Sequence, residues 1–514
     1  YLKLAGNLHN FSSNLPVVVV QDFKDGNILP DPDIPRGTLL QHQEGYMIVH
    51  EPGEEDRRTR LTDAPTLETR IGIKIRGNST QNRPKKAFTL EAWNEYDEDK
   101  DIAPLNMPED SDWVLYAPYN FDRAMIRNAF IYEISNQIGR YAVRTRFCEV
   151  FVNTDGGSLG YEDYVGVYSF MEKITRGRNR VDIRRIDPGH SDEPEISGGY
   201  MFKLDRTDPG DSGFVAGKEG ILWVDPKENE VTPEQAKWVT DYINSMYEST
   251  RSSNPETGYP KYIDMDSWID YHILNEFTKN PDAFNLSTYF FKDRGKRMEY
   301  GPIWDFDRTM GCDGDGRAVD PIGWSGAYSQ GWWSRIMRAK NFKRRYAERW
   351  ALFRQNAMSE KNMFAVIDAM AEEPDGGWAG AIVVADADPE GAFALCRRLR
   401  KVEMPLSPLL LLVGGGQLID LELRDDLFDD FCLTPFRPAE LQARLEHLCF
   451  RTGREVRPEL VEYGPLALNL ETYQAAIDGT PLDLTYMEYE LLKFLASHPG
   501  KVFTRETLLS RVWG

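Results

Sequence analysis

The stretch "GPIWDFDRTMGCDGDG" (301–316) concentrates aspartates: Asp305, Asp307, Asp313 and Asp315. Carboxylate oxygens are the ligands that magnesium and calcium prefer, so the stretch reads as a metal-holding segment, a calcium loop or an acidic turn. Phosphoryl transfer needs two carboxylates with separate tasks, one holding metal and one receiving or orienting the attacking hydroxyl. A partner for Asp305 lies upstream in "KNPDAFNLST" (279–288), at Asp282. The segment "TYFFKDRGKRMEYGPI" between them has the pattern of a hairpin that returns the chain toward Asp282. An Asx-type turn at "NPDAFN" is the plainer alternative for that aspartate. Calcium fits less well, because Asp313-Gly314-Asp315-Gly316 is followed by "RAVDPIGW", with no glutamate to complete a loop of the EF-hand kind.

Cations suited to phosphate lie in the N-terminal half. "IGIKIRGNSTQNRPKKAFTLEAW" (71–93) reads as a strand, a polar glycine-containing loop and a second strand, carrying Arg76, Lys85 and Lys86. "KKAFTLEAW" is expected to put one lysine on each face of its strand. A lysine there serves a phosphate or simply solvates an edge. "GVYSFMEKI" (166–174) ends in Glu172–Lys173, where the acid could pair with a nucleotide-contacting lysine or hold an adenosine. Arg127, on a helical stretch, is either a structural ion pair or a phosphate ligand.

These residues need a scaffold. Strand-like runs such as "LPVVVVQDF" (15–23) and "RFCEVFVNT" (146–154) alternate with helical stretches such as "DRAMIRNAFIYEISNQIG" (122–139). In that last stretch Ile126, Ala129, Phe130, Ile134 and Ile138 recur at helical spacing, and Gly139 is a stop signal. The expected fold class is α+β, with a first domain over 1–373. Composition shifts near Pro374: asparagine recurs only at Asn469, and lysine thins to Lys401, Lys493 and Lys501. The runs "AGAIVVADAD" (379–388), "PLLLLVGG" (408–415) and "FCLTPF" (431–436), separated by helical stretches, predict a doubly wound parallel sheet over 374–452. A third domain, 453–514, opens with a strand pair around Asp478–Gly479. It closes on two amphipathic helices in "LDLTYMEYELLKFLASHPGKVFTRETLLSRVWG", the second N-capped by Thr504.

The 514 residues carry 61 basic and 82 acidic side chains, a net charge of −21, which argues against broad electrostatic binding to nucleic acid or an anionic membrane. Five scattered cysteines with no C-x-x-C support neither a zinc site nor a dense disulfide framework. No run approaches the roughly 20 apolar residues of a membrane helix. The sequence starts at Tyr1 without a signal-like segment and has the look of an excerpt, so it gives no cellular address.

The ordered set "RGNSTQNRPKKAFTLE", "MIRNAFIYEI", "GVYSFMEKI", "DYHILNEFTKNPDAFN" and "GPIWDFDRTMG" resembles the signature of CotH-type kinases, the atypical protein kinases named for a spore-coat protein. The resemblance covers about residues 14–373. It implies a divergent protein-kinase fold and phosphorylation of secreted, surface or spore-coat proteins on Ser/Thr, using ATP with Mg2+ or Mn2+. By this resemblance Asp282 matches the aspartate that receives the substrate hydroxyl proton, and Asp305 the metal-binding aspartate. Lys86 or Lys85 matches the phosphate-contacting lysine, and Glu172 lies in the segment lining the nucleotide; Arg76 and Arg127, read from the residues alone, are further candidate nucleotide contacts. Many relatives place an asparagine five residues after the first aspartate. Here that position is Ser287, with Asn285 the nearest asparagine; these two, and Asp307 as a helper that shapes the turn, join Asp305 as the expected metal-site residues.

The C-terminal third is similar to OmpR/PhoB-type response regulators. Residues 379–450 resemble the back half of an atypical receiver, with Asp386 at the phosphoacceptor position. Val413 and Thr434 stand where a signalling hydroxyl and a lysine are expected, which implies an inactive site. The last segment resembles a winged helix whose major-groove reader would follow Gly514, so specific DNA binding is not expected of this sequence. Both modules look cut where they meet, which places an expected join between Val366 and Trp378. Three functions are therefore carried forward: a protein kinase, a DNA-binding transcriptional regulator, and a surface protein with an inactive kinase fold.

Overall fold

The computed structural model describes residues 3–496 apart from 23–37, 39, 55, 78–82, 119–121, 123, 209, 313–315, 319, 326–330, 371–380, 386–388, 402–406, 418–420, 422–423, 425–426, 435–437, 452–459, 464–465, 470–473, 478–479, 483 and 485. The chain divides into two compact units, Tyr1–Glu372 and Glu373–Gly514. It is mixed α and β and rich in sheet.

The first unit opens with a closed barrel of seven strands: β1 (Val17–Asp22), β2 (Gln43–His50), β3 (Leu67–Ile75), β4 (Phe88–Trp93), β5 (Asp112–Tyr116), β6 (Thr145–Asn153) and β7 (Tyr164–Glu172). The order is β1-β2-β3-β4-β5-β7-β6, and parallel pairing of β1 with β6 (Val17↔Glu149 through Gln21↔Asn153) closes it. The two-residue period of a strand sorts the side chains. Val18, Val20, Ile71, Ile73, Leu90 and Val150 form one buried cluster, whereas Val17, Val19, Ile48 and Phe151 pack on the other side with Leu8 and Leu159. Lys85 and Lys86 precede β4, so the expected one-lysine-per-face arrangement does not occur.

A five-stranded sheet follows, made of β8 (Tyr200–Leu204), β9 (Gly213–Ala216), β10 (Glu219–Asp225), β11 (Thr288–Lys292) and β12 (Met298–Tyr300), in the order β9-β10-β8-β11-β12. Around it lie α1 (Arg127–Gln137), α2 (Pro233–Ser249), α3 (Met265–Phe277), α4 (Lys340–Gln355) and α5 (Glu360–Met370). α1 begins later than its periodicity suggests. Asp122 accepts the Arg127 backbone N–H at 2.9 Å and Met125 sits at φ +61°, so Asp122 and Met125 cap the helix instead of joining it. Gly139, at φ +83°, ends it. α3 starts on Asp264, whose carboxylate accepts the Ser267 N–H at 2.7 Å. Ion pairs tie it sideways: Asp270 to Arg140 at 2.7 Å and Asp266 to Arg345 at 2.7 Å. Trp268, Tyr300, Trp332 and Trp333 fill the core between helices and sheet.

In the second unit β13 (Ala381–Val384), β14 (Leu409–Gly414) and β15 (Asp430–Thr434) form a parallel sheet in that order. α6 (Pro389–Lys401) lies between its first two strands in sequence, and α7 (Pro438–Arg451) follows the third. An antiparallel meander, β16 (Leu460–Tyr463), β17 (Leu466–Asn469), β18 (Gln474–Ile477) and β19 (Thr480–Leu482), leads to α8 (Tyr486–Ala496). The acceptor-like Asp386, the turn at 478–479 and the last helical stretch lie outside the described residues. No described helix is long and apolar enough to cross a membrane.

Candidate functional site

Asp305 lies past the end of β12 in an irregular segment, not on a strand, and its φ is +56°. That left-handed conformation is one a short polar residue tolerates better than most. One face of α1 holds it there. The Asp305 N–H donates to the Tyr132 hydroxyl at 3.2 Å, and the Phe306 N–H donates to Asn128 Oδ1 at 2.7 Å. Asn128 and Tyr132 are four residues apart, the spacing that stacks side chains along a helix. The Tyr132 ring lies parallel to Trp304, with centroids 6.1 Å apart, and meets Phe306 edge-on. From the other side Asn280 Nδ2 reaches the Asp305 carbonyl at 3.4 Å.

The Asp305 carboxylate accepts a hydrogen bond from Ser287 Oγ at 2.7 Å. Burial pushes this carboxyl above its usual range, while the Ser287 bond and the Arg76 charge pull it back and Asp205 and Asp282 add repulsion. Asp282 sits at the head of a turn: the N–H groups of Asn285 and Leu286 reach its carbonyl at 3.4 and 2.9 Å, and its own N–H donates to Asn280 Oδ1 at 3.1 Å. Its carboxylate faces Arg308 at 3.3 Å and Arg317 at 3.6 Å. The turn and the acidic site are thus the same feature. It presents a carboxylate electrostatically coupled to Asp305, with Ser287 linking the two segments.

Arg76, at the end of β3, stacks its guanidinium on Trp304, 5.2 Å from the ring centroid. It borders a polar cavity of about 590 Å³ whose wall includes Lys173, Arg176, Lys203, Lys227 and Tyr289. Three of these cations carry carboxylate partners: Lys173 with Asp112 at 2.6 Å, Arg176 with Asp225 at 2.7 Å and Lys203 with Asp211 at 2.8 Å.

The remaining residues expected at a site lie in other settings. Glu172 is fully buried, accepts bonds from the Arg144 N–H and Tyr141 hydroxyl at 3.0 Å, and pairs with the Arg144 guanidinium and with Arg180 at 2.8 Å. With both oxygens engaged, it braces the end of β7 and has no lone pair left over for an adenosine. Lys85 turns its ammonium onto the Val167 and Pro118 carbonyls and over the Tyr168 ring, 4.7 Å from the centroid. Burial lowers its pKa to about 8. Lys86, beside it, is also lowered by burial. Arg127 pairs with buried Asp122 at 2.8 Å. Asp307 stands near Asp122 and Asp305: burial and these two charges raise its pKa to about 7, against the Tyr116 hydroxyl bond and Arg308. Asn285 is exposed, its amide directed to the Ala283 carbonyl at 3.4 Å, and it borders a different cavity with Lys218 and Arg335.

No group of three or more described His, Cys, Asp or Glu residues is arranged as a metal cage. A nucleotide-borne magnesium asks less, one or two carboxylates with phosphate and water completing its shell. Asp305 with the Ser287 hydroxyl is a hard oxygen set of that kind, and Asp305 already leans on Arg76 for positive charge. The donors present therefore fit the ion.

The sequence model of the family described as "CotH kinase protein" matches residues 73–375, more than half of the chain. A second, "Transcriptional regulatory protein, C terminal", matches 479–514. Among curated relatives, the phosphate regulon transcriptional regulatory protein PhoB of Pseudomonas aeruginosa is 35% identical over 125 residues, 23% of this chain and 53% of that protein. The alkaline phosphatase synthesis transcriptional regulatory protein PhoP of Bacillus subtilis is 30% identical over 169 residues, 31% of this chain and 63% of that protein. The chain thus spans 53% and 63% of the lengths of these two relatives. A solved response regulator, DrrB of Thermotoga maritima, is similar at 23% identity over 29% of this chain and 65% of its own, with a TM-score of 0.13.

Proposed function

This chain belongs to the CotH kinase protein family, and from that premise we propose that its first unit transfers the γ-phosphoryl group of ATP to a Ser or Thr hydroxyl of a protein. The observation that carries the reading is the nearness of two carboxylates: Asp282 adds repulsion at Asp305, whose carboxylate accepts a bond at 2.7 Å from Ser287, five residues beyond Asp282 in sequence. In this reading the substrate hydroxyl oxygen bonds to the γ-phosphorus and the bond to the β–γ bridging oxygen breaks. ADP leaves, and the hydroxyl proton passes to Asp282. Arg308 and Arg317 hold the Asp282 carboxylate in one orientation for that transfer. Asp305 and Ser287 would hold Mg2+ or Mn2+, which when bound offsets negative charge on the phosphates. The polar cavity beside Arg76 is the candidate nucleotide space, with Trp304 and Tyr289 as flat walls.

The test is magnesium-dependent ATP consumption by the intact chain and by Asp305→Ala. Turnover that vanishes in the variant supports the kinase. Equal, background-level consumption in both removes it and leaves a kinase-fold surface protein without chemistry.

A second reading belongs to the other end of the chain. The match at 479–514 and the PhoB-type relatives support a regulator portion, and sequence-specific DNA binding is the activity that portion would contribute. A gel-shift titration on promoter DNA decides it: no specific retardation sets this activity aside.

A further inference from the structure

A second cavity, of about 370 Å³, opens beside the Asp282 turn and is lined by Lys218, Glu219, Tyr247, Asn285, Ser334 and Arg335, among others. Among the described residues, its cations lack the carboxylate partners that several arginines of this unit have. Arg140, Arg144, Arg176, Arg180, Arg345 and Arg349 are each matched to a carboxylate. Arg335 has no carboxylate partner among the described residues. Its guanidinium lies 4.4 Å from the Tyr247 ring centroid, and its Nη1 donates to Thr250 Oγ1 at 3.4 Å. Lys218 likewise has none, and its ammonium lies 5.6 Å from the same ring. Two cations gathered on one tyrosine without a counter-ion form an anion site in waiting. The setting is a chain whose net charge is −21, which makes the local reversal of sign more telling.

Glu219 is the single carboxylate on the wall among the described residues, one against the two cations. It packs on the Gly331 backbone, where an added Cβ would fall 2.3 Å from its Oε1, and burial raises its carboxyl above the usual range. Asn285 and Ser334 add an amide and a hydroxyl to the wall.

Position supplies the function. Asn285 is three residues beyond Asp282 on one turn, and three residues of extended chain span at most about 11 Å. An extended peptide presenting a hydroxyl to Asp282 therefore brings a side chain one to three positions away to this cavity.

We propose that the cavity between Lys218, Arg335 and Asn285 is a substrate-recognition pocket. It takes an acidic side chain, a carboxylate or a phosphorylated residue, of a polypeptide whose neighbouring hydroxyl faces Asp282. The proposal rests on the kinase reading for the fate of that hydroxyl, but the pocket's preference does not depend on turnover.

The experiment uses the intact chain and short fluorescent peptides whose acceptor serine is replaced by alanine, read by anisotropy. Three otherwise identical peptides carry glutamate, phosphoserine or lysine at the flanking positions. The glutamate and phosphoserine peptides should bind about tenfold more tightly than the lysine one, as expected of charge complementarity at a half-buried site. Arg335→Glu should erase that preference, and so should Lys218→Glu, an exposed position where folding is little at risk. Glu219→Gln should tighten both acidic peptides. Equal binding of all three, a lysine preference, or a preference indifferent to both charge reversals overturns the pocket. ATP consumption measured alongside keeps the two ideas apart. Preference without turnover removes the kinase and leaves a peptide-binding pocket, whereas turnover without preference removes the pocket alone.

Discussion

Ser287 Oγ donates to Asp305 Oδ2 at 2.7 Å, so the last residue before β11 is bonded to the carboxylate that follows Trp304. The bond stabilises the charged form of a carboxyl that burial would otherwise push toward protonation. It also fixes which oxygen faces the serine. Where the family resemblance leads one to expect an amide, this chain carries a hydroxyl bonded to Asp305.

Ser287→Ala should therefore weaken divalent-ion binding about tenfold, since hydrogen bonds to charged groups contribute roughly 1.5–3 kcal/mol. Manganese titration followed by electron paramagnetic resonance reads this directly. Ser287→Asn should retain most of the affinity. An alanine variant that binds manganese as the intact chain does would remove Ser287 from the site.

Asp307 sets a pH dependence. Its folded pKa, about 7, lies above the ordinary carboxylate value, so the folded chain holds a proton that the unfolded chain releases. The contribution to stability is full below about pH 4 and declines as pH rises through about 7. Asp307→Asn should remove this decline. Urea midpoints should differ between about pH 5 and pH 8 for the intact chain by more than for the variant. The gap amounts to at most a few kcal/mol, because a tenfold difference in proton affinity between the folded and unfolded chain is worth roughly 1.4 kcal/mol.

Lys85 and Arg76 should separate in nucleotide binding. Lys85→Met keeps the packing on Tyr168 and loses the carbonyl contacts, so its effect falls on stability, by about 1 kcal/mol. Arg76→Ala removes the cation coupled to Asp305 and the cover on Trp304, and should weaken ATP binding roughly tenfold or more. Calorimetric titration with ATP, alongside thermal melts, distinguishes the two. A large loss of ATP affinity in Lys85→Met would return that lysine to the phosphate site.

Glu172→Gln should cost roughly 1–3 kcal/mol of stability, because Arg180, with a 1% exposed side chain, loses the nearer of its two countercharges and keeps only Asp110 at 3.4 Å. Chemical denaturation measures this. ATP affinity of the folded variant should stay close to that of the intact chain, and a selective loss of nucleotide binding would put Glu172 back in the cleft.

Much of this is legible in the residues because it is local. The valine run of β1, the two-strand segment around Arg76 and the hairpin from Thr288 to Tyr300 each declare themselves by period or by turn. The pairing of Asp282 with Asp305 is legible because a hairpin joins them. Glu172 is not, because its environment is assembled from Tyr141, Arg144 and Arg180, whose convergence depends on how loops fold back on the barrel. Lys85 is misplaced by register: β4 starts at Phe88, so strand alternation does not apply to it. The hold of α1 on Asp305 has one faint signal, the spacing of Asn128 and Tyr132 in "MIRNAFIY", and nothing in that spacing says what the two side chains grip. The pocket at Lys218 and Arg335 draws on residues more than a hundred positions apart, beyond the reach of any motif.

That grip of α1 on Asp305 also decides what kind of genetic probe the site allows. Asn128 and Tyr132 read peptide N–H groups, not the aspartate side chain. Every substitution at 305 except proline leaves the donor in place, so asparagine there, which also tolerates the left-handed backbone, deletes the charge while the backbone keeps its anchor. Proline would do more, taking away the anchor as well as the charge. An allelic series at this one codon can therefore separate loss of chemistry from loss of scaffolding, which few acidic sites in loops permit.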